Sequence, residues 1–134
     1  MVRLESPDEA YGKQDRWQRI VVEATRQCGG AWVPEVLPPM PFDQALTRLG
    51  AIQPLLVAAL THDARPLREI LAGLAGAPPP REAAWMVGPE GDFTPGEIAR
   101  LRGAGALLCS LGAHVLRAET AAVYGLAVLG AAWL

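Results

Sequence analysis

The feature that most constrains the fold is a pattern that occurs twice in the C-terminal half of the sequence. In residues 83–97, and again in residues 106–122, a short apolar run ends at a glycine-containing turn and is followed by a helical pattern. A buried strand that leads through a loop into a helix is typical of open α/β sheets, which bind their ligands at the carboxyl ends of the strands. We therefore expect both turns to lie at the ligand-binding edge of a parallel sheet.

The first turn is Gly88-Pro89-Glu90-Gly91. Its two glycines let the backbone bend sharply and pass close to a ligand, since no Cβ stands in the way. The helix that follows has a clear start signal, with Thr94 as the N-cap, Pro95 at the first helical position and Glu97 placed to complete a capping box. By itself this pattern predicts a ligand-facing loop and specifies no reaction.

The rest of the chain alternates between helical and strand patterns. Residues 1–15 are polar and irregular, with a short strand at Val2 and Leu4 that ends before the breakers Pro7, Asp8 and Gly12. An apolar stripe then predicts a helix from Arg16 to the Gly29-Gly30 stop; its members are Trp17, Ile20, Val21 and Ala24. Further patterns predict an extended connection at 37–41, strands at 55–60, 83–87 and 106–109, and helices at 42–49, 66–74, 95–102 and 118–133. The alternation predicts an α/β fold, a parallel sheet flanked by helices.

Composition bounds the possible partners. A chain of 134 residues, 51% hydrophobic and 19% charged, has the size and composition of one globular domain. Its net charge of −2 means that bulk charge would not draw it to RNA, so RNA binding would need a local basic patch or a partner domain. The candidate patch is a phosphate-binding edge on the first helix, and the alternative is an ordinary solvated helix face. Its members are Lys13, Arg16, Arg19 and Arg26.

Cysteine usage and hydropathy suggest a cytoplasmic protein without metal. Cys28 and Cys109 lie far apart, without a Cys-x-x-Cys motif or flanking histidines, so we expect two reduced, buried thiols in a reducing compartment. The sequence offers no plausible metal-ligand set. The first twenty residues are charged and contain no signal-peptide pattern, and the longest apolar run, 118–134, contains Glu119 and many small residues. We therefore expect that run to be a core helix and not a membrane span.

The two turns together resemble a known family. Gly88-Pro89-Glu90-Gly91, followed by Leu111-Gly112-(two residues)-Val115-Leu116-Arg117-Ala118-Glu119-Thr120-Ala121, is similar to the signature of the bacterial small-subunit (16S) ribosomal RNA uridine-N3 methyltransferases, of the SPOUT class. The run from Gln27 to Val36 is similar to the same family, so the resemblance covers roughly residue 16 to the C-terminus. It departs at Asp92, where the family has a second glycine; Asp92 either begins the next helical region or adds negative charge beside the pocket.

The resemblance implies a fold, a reaction and partners. The fold would be a parallel sheet with a C-terminal trefoil knot, and the reaction S-adenosylmethionine-dependent methylation of N3 of a uridine in small-subunit ribosomal RNA. The small residues of the last helix would allow close packing, either against the knot or across a symmetric dimer, and the resemblance favours a homodimer. Residues 1–134 would form one methyltransferase domain that lacks its first strand and helix and the family's N-terminal RNA-binding barrel domain. The implied cofactor-binding residues are Leu60, Gly88, Glu90, Gly91, Leu111, Gly112 and Leu116, with Val87 beside Leu111 and Leu116 in an apolar slot for the adenine.

The chemistry of this reaction selects three further candidates. Uracil N3 loses its proton only well above neutral pH, so the protein must take the proton or stabilise the resulting anion. Arg117 is the candidate for stabilising charge on the uracil oxygens, because a guanidinium stays charged. Glu90 and Glu119 are candidates for the base or for orienting Arg117. The structural alternatives are that Glu119 only favours the N-terminus of a helix and that Glu90 only fixes its turn.

Two other functions stay open at this stage. A non-catalytic knotted module that dimerises or binds RNA, or an inactive truncated relative, is favoured by Asp92 and by the missing front of the domain. The retained run 117–120 favours the enzyme instead. A generic nucleotide-binding α/β domain is disfavoured, because the sequence has neither a Gly-x-Gly-x-x-Gly nor a Walker loop.

Overall fold

The computed structural model describes the backbone of residues 7–134 and the side chains of residues 12–134. The chain divides into two compact units, one ending at Phe42 and the other comprising Asp43–Leu134. The elements, in chain order, are α1 Pro7–Cys28, α2 Phe42–Leu49, β1 Leu55–Ala58, β2 Arg65–Pro66, α3 Leu67–Leu74, β3 Ala84–Val87, α4 Pro95–Gly103, β4 Leu107–Ser110 and α5 Ala118–Trp133.

The first helix is longer than the sequence predicted. It extends from Pro7 and not from Arg16. Pro7 is compatible with the first turn of a helix, where its missing N–H would have had no helical partner. Gly12 lies inside the helix and so lowers its stability without breaking it. The strand predicted at Val2 and Leu4 lies outside the described residues.

The segment after α1 is held to the helix by side-chain amides. Gln18 accepts a hydrogen bond from the N–H of Val36 at 2.8 Å and donates one to the carbonyl of Pro34 at 3.0 Å. Gln14 donates to the carbonyl of Val36 at 2.8 Å. Residues 37–41 form neither helix nor strand, and the extended conformation predicted for them stays a prediction.

Much of the apolar stripe predicted on α1 is exposed to solvent. Trp17 is 41% exposed and Ile20 is 57% exposed, whereas Thr25 is buried. The prediction of a buried Cys28 was wrong: it lies in the last turn of α1 and is exposed, with its Sγ 3.5 Å from the carbonyl of Thr25. Periodicity identified the apolar face of the helix, but Trp17 and Ile20 on that face are exposed.

The second unit contains a parallel sheet with the strand order β2-β4-β1-β3. Ala58 of the central strand pairs with Val87 on one side and with Cys109 on the other, so three strands end at the same level. All four residues of β1 are buried, as expected for a strand covered on both faces. The α/β prediction of a parallel sheet flanked by helices is confirmed.

Strand β2 was not predicted. It is only two residues long, and the sequence assigned Pro66 to the start of a helix, which in the structure begins at Leu67. A two-residue strand has no periodicity that a sequence pattern could reveal. It pairs with the end of β4, through Arg65 with Cys109 and Pro66 with Ser110.

Helices α3 and α5 pack against strands of this sheet, whereas α2 has no buried residue. The core joins strand and helix residues: Leu56, Leu67, Ile70, Cys109 and Leu129. Helix α5 packs against β3. The capping box of α4 is complete, with the Thr94 hydroxyl accepting from the N–H of Glu97 and the Glu97 carboxylate accepting from the N–H of Thr94.

Candidate functional site

A cavity opens where β1, β3 and β4 end. Its volume is about 320 Å³, within the range of small-molecule sites. Its walls come from 58–60 after β1, 87–92 after β3, and 109–112, 114–118 and Ala121 around the turn from β4 into α5. The common level of the three strand ends, set by the parallel register, brings these distant segments together.

The structure brings every predicted cofactor-binding residue to this one cavity. The residues are Leu60, Val87, Gly88, Glu90, Gly91, Leu111, Gly112 and Leu116. Two of the glycines are needed for backbone reasons, because Gly91 has a φ of 89° and Gly112 a φ of 137°, values that L side chains rarely adopt. The turns therefore have the conformation that the glycine pattern predicted, and cofactor binding by these residues stays a prediction.

The predicted catalytic residues separate into two groups. Arg117 and Glu90 line the cavity. Glu119 is exposed in the first turn of α5, outside the cavity-lining residues of the described chain. Its position fits the alternative of a carboxylate at a helix N-terminus.

Sequence reasoning missed three polar residues of the cavity wall, Asp92, Ser110 and His114. His114 occupies one of the two positions that the family signature left unspecified between Gly112 and Val115. Asp92 was noted only as a departure, yet its Oδ2 accepts a hydrogen bond from the N–H of Leu60 at 2.7 Å. A signal for His114 was available, because any polar residue between two predicted wall residues is a candidate for the same wall.

Cys109 forms part of the inner wall and is fully buried. Its Sγ donates to the carbonyl of Val57 at 3.2 Å. Burial raises the pKa of this thiol to about 11, because the thiolate would lose its hydration. Cys109 is therefore a neutral packing residue at physiological pH.

The predicted basic edge lies on α1, in the other unit. Arg16 and Arg19 are exposed, while Arg26 makes an ion pair with Glu23 at 2.7 Å. At 3.6 residues per turn, Glu23 lies between Arg16 and Arg19 around the helix, so the face carries both signs of charge. The role of Lys13, Arg16, Arg19 and Arg26 in RNA binding stays a prediction.

The part of the chain that the structure describes has no helix long and apolar enough to cross a membrane. Among the described side chains, those of residues 12–134, no group of three or more histidine, cysteine or acidic residues is placed to hold a metal ion.

Comparison with known proteins identifies a family. Residues 3–130 match the family described as RNA methyltransferase domain. The chain is 34% identical over 122 residues to the ribosomal RNA small subunit methyltransferase E of Synechocystis, covering 91% of this chain and 40% of that protein.

Solved structures show the same architecture. A Legionella pneumophila protein in complex with the bound cofactor SAM matches with a TM-score of 0.84 and 33% identity, over 99% of this chain and 51% of the other. The ribosomal RNA small subunit methyltransferase E from Neisseria gonorrhoeae, bound to S-adenosyl methionine, matches with a TM-score of 0.78 and 31% identity, over 99% and 52%. The chain thus spans about half the length of these structures.

Proposed function

Because this chain belongs to the RNA methyltransferase domain family, we propose that it binds S-adenosylmethionine and methylates N3 of a uridine in small-subunit ribosomal RNA. The reaction class is supported by the names of the similar proteins, and the cofactor by the solved structures that contain it. The atom methylated comes from the resemblance of the two turns to the uridine-N3 family. The chain spans about half the length of these relatives. Their activity is therefore a proposal for this chain.

The observation that carries the proposal is the single cavity at the ends of β1, β3 and β4. Leu111, Leu116 and Val87 offer apolar surface for an adenine ring. The turns at Gly88–Gly91 and Gly112 offer backbone groups for the polar parts of the cofactor, at positions without bulky side chains. These residue types fit S-adenosylmethionine, which supplies a methyl group on a sulfonium that acts as its own leaving group.

The chain's own residues would activate the uracil. Arg117 supplies a guanidinium, a cationic group that can stabilise negative charge on the uracil oxygens. Glu90 is our candidate to accept the N3 proton, and His114 is a second group of the same wall that could do so. Holding uracil and cofactor together would supply the remaining rate enhancement through proximity.

The proposal extends to the knot and to assembly. We expect the C-terminal segment to form the trefoil knot of the SPOUT class, on the strength of the family resemblance. We also expect a homodimer through α5, whose apolar residues Val123, Tyr124 and Leu126 are 68%, 44% and 62% exposed. Side chains of this kind are the usual content of an interface core.

Methyl transfer to isolated small ribosomal subunits tests the proposal. Subunits from cells that lack the modification would be incubated with the chain and methyl-labelled S-adenosylmethionine, and the product located by reverse transcription, because a methyl on N3 blocks base pairing. Label at a uridine would support the proposal. Gly112→Val is the control, since its φ of 137° excludes valine. Cofactor binding without any transfer to RNA would instead favour the non-catalytic module.

A further inference from the structure

One side chain joins two of the loops that form the cavity. Oδ2 of Asp92, after β3, accepts a hydrogen bond at 2.7 Å from the backbone N–H of Leu60, after β1. Both residues line the cavity, and the pairing of Ala58 with Val87 brings the two loops out of the sheet side by side. A carboxylate accepting from an N–H at this distance makes a short, charge-assisted bond.

The backbone around Asp92 is adapted to this contact. Asp92 has a φ of 65°, in the left-handed region, which aspartate tolerates better than most residues. Its own N–H donates to the carbonyl of Pro89 at 2.9 Å and so closes the turn. A Cβ on Gly88 would lie 2.6 Å from Oδ1 of Asp92, so the carboxylate can take this position only beside a glycine.

We infer that Asp92 is a positioning residue that holds the loop after β1 against the loop after β3. We call its hydrogen bond from the N–H of Leu60 the bridge, and we infer that cofactor affinity depends on it. The inference rests on the proposed function, because it takes S-adenosylmethionine as the ligand of the cavity. The side chain of Leu60 is 62% exposed and forms part of the wall. If the N–H of Leu60 lost its acceptor, this part of the wall would no longer be held in place. Cofactor binding would then have to order it, and the entropy cost of that ordering lowers affinity.

Three substitutions of Asp92 distinguish the effect of the hydrogen bond from the effects of the negative charge and of the left-handed backbone conformation. Asp92→Asn removes the charge but keeps an oxygen acceptor and tolerance of the left-handed φ. Asp92→Gly suits the φ but removes the acceptor, and Asp92→Ala removes the acceptor while keeping the strain. Asp43→Ala is the matched control, because it removes a carboxylate from an exposed ion pair with Arg100 at 3.2 Å, away from the cavity.

Two measurements on the 134-residue chain test the inference. Amide hydrogen exchange at Leu60, measured by NMR without ligand, shows whether the N–H of Leu60 is protected by its hydrogen bond to Asp92. Calorimetric titration with S-adenosylmethionine reports affinity. In Asp92→Gly and Asp92→Ala we expect exchange to accelerate and the dissociation constant to rise, each by about tenfold. Asp92→Asn should stay within about threefold of the wild type on both readouts, and Asp43→Ala should not differ from it.

The outcomes that overturn the inference are distinct. Unchanged exchange at Leu60 in Asp92→Gly would show that the bridge does not hold the loop. Faster exchange with unchanged affinity would show that the bridge has no part in cofactor binding. If the folded wild type bound no S-adenosylmethionine, the proposed function would fail, and the cofactor role of Asp92 with it, while the exchange data would still decide whether Asp92 holds the two loops.

Discussion

Gly125 of α5 lies against the indole ring of Trp85 on β3. A Cβ atom on Gly125 would stand 2.1 Å from Cε2 and 2.2 Å from Cζ2 of Trp85, far inside van der Waals contact. Gly125 is buried, and this face of α5 is the one that packs on the sheet. The approach of the last helix to the edge strand therefore depends on the absence of a side chain at this position.

Gly125→Ala should destabilise the fold although alanine favours helices. The gain in helix propensity is about 1 kcal/mol, whereas overpacking a rigid aromatic contact costs about 1–3 kcal/mol, so we expect a net loss in the free energy of unfolding. Urea denaturation measures it. Gly130→Ala in the same helix is the control, because its Cβ would meet only Leu134, at 3.8 Å. Equal effects of the two substitutions would refute the close-contact explanation.

The capping box of α4 makes stability depend on pH. Hydrogen bonds from the backbone N–H and then the hydroxyl of Thr94 lower the pKa of the Glu97 carboxyl from its ordinary value of 4.5. A lowered pKa in the folded state means that the contribution is fully present above pH 4.5 and is lost as the pH falls through the folded pKa. Glu97→Gln should therefore weaken the fold at neutral pH and differ little from the wild type in acid.

The hydroxyl of Thr94 makes two contacts with Glu97: it accepts from the N–H of Glu97 at 3.3 Å and donates to the Glu97 carboxylate at 2.9 Å. Thr94→Ala should cost about 0.5–2 kcal/mol of unfolding free energy at neutral pH, because the N–H of Glu97 loses its capping acceptor. Thr94→Ser keeps the hydroxyl and should retain most of the stability. A serine variant as unstable as the alanine variant would mean that the methyl group of Thr94, and not the cap, carries the effect.

Arg117 should be needed for methyl transfer and not for folding. It lines the cavity and is the N-cap residue of α5, but in the described structure its side chain makes no capping hydrogen bond. Arg117→Ala should keep the affinity for S-adenosylmethionine within about threefold and lower the transfer rate by about a hundredfold or more. Parallel losses of affinity and rate would make Arg117 a structural residue.

The two cysteines should react at different rates with a thiol reagent. Cys28 is exposed and should react in the native chain. Cys109 is buried, and its pKa of about 11 leaves little thiolate, so it should react only after unfolding. A chromogenic disulfide titration, with Cys28→Ser as the control, should show one fast thiol in the wild type and none in the variant. Two fast thiols in native protein would show that the inner wall of the cavity is open.

The sequence predicted those features whose partners are close along the chain or share one period. The capping box of α4 needed only Thr94, Pro95 and Glu97. The cavity-lining turns were predictable because Gly91 and Gly112 have φ values that L side chains rarely adopt. The bridge between Leu60 and Asp92 spans 32 residues and depends on a left-handed backbone, so no local pattern could indicate it. The stripe on α1 shows the complementary limit, because periodicity identifies which residues share a helix face and not what covers that face.

The cavity walls come from three segments that follow three different strands, and this has a consequence during synthesis. A nascent chain that has been made only as far as Gly105 contains β1 and β3 but neither β4 nor the segment up to Ala121. No complete binding site exists at that stage, so a ligand could not guide the early steps of folding. The cofactor would instead bind only to chains in which β4 and the segment up to Ala121 have already packed on the rest of the sheet, and so would stabilise only the completed fold.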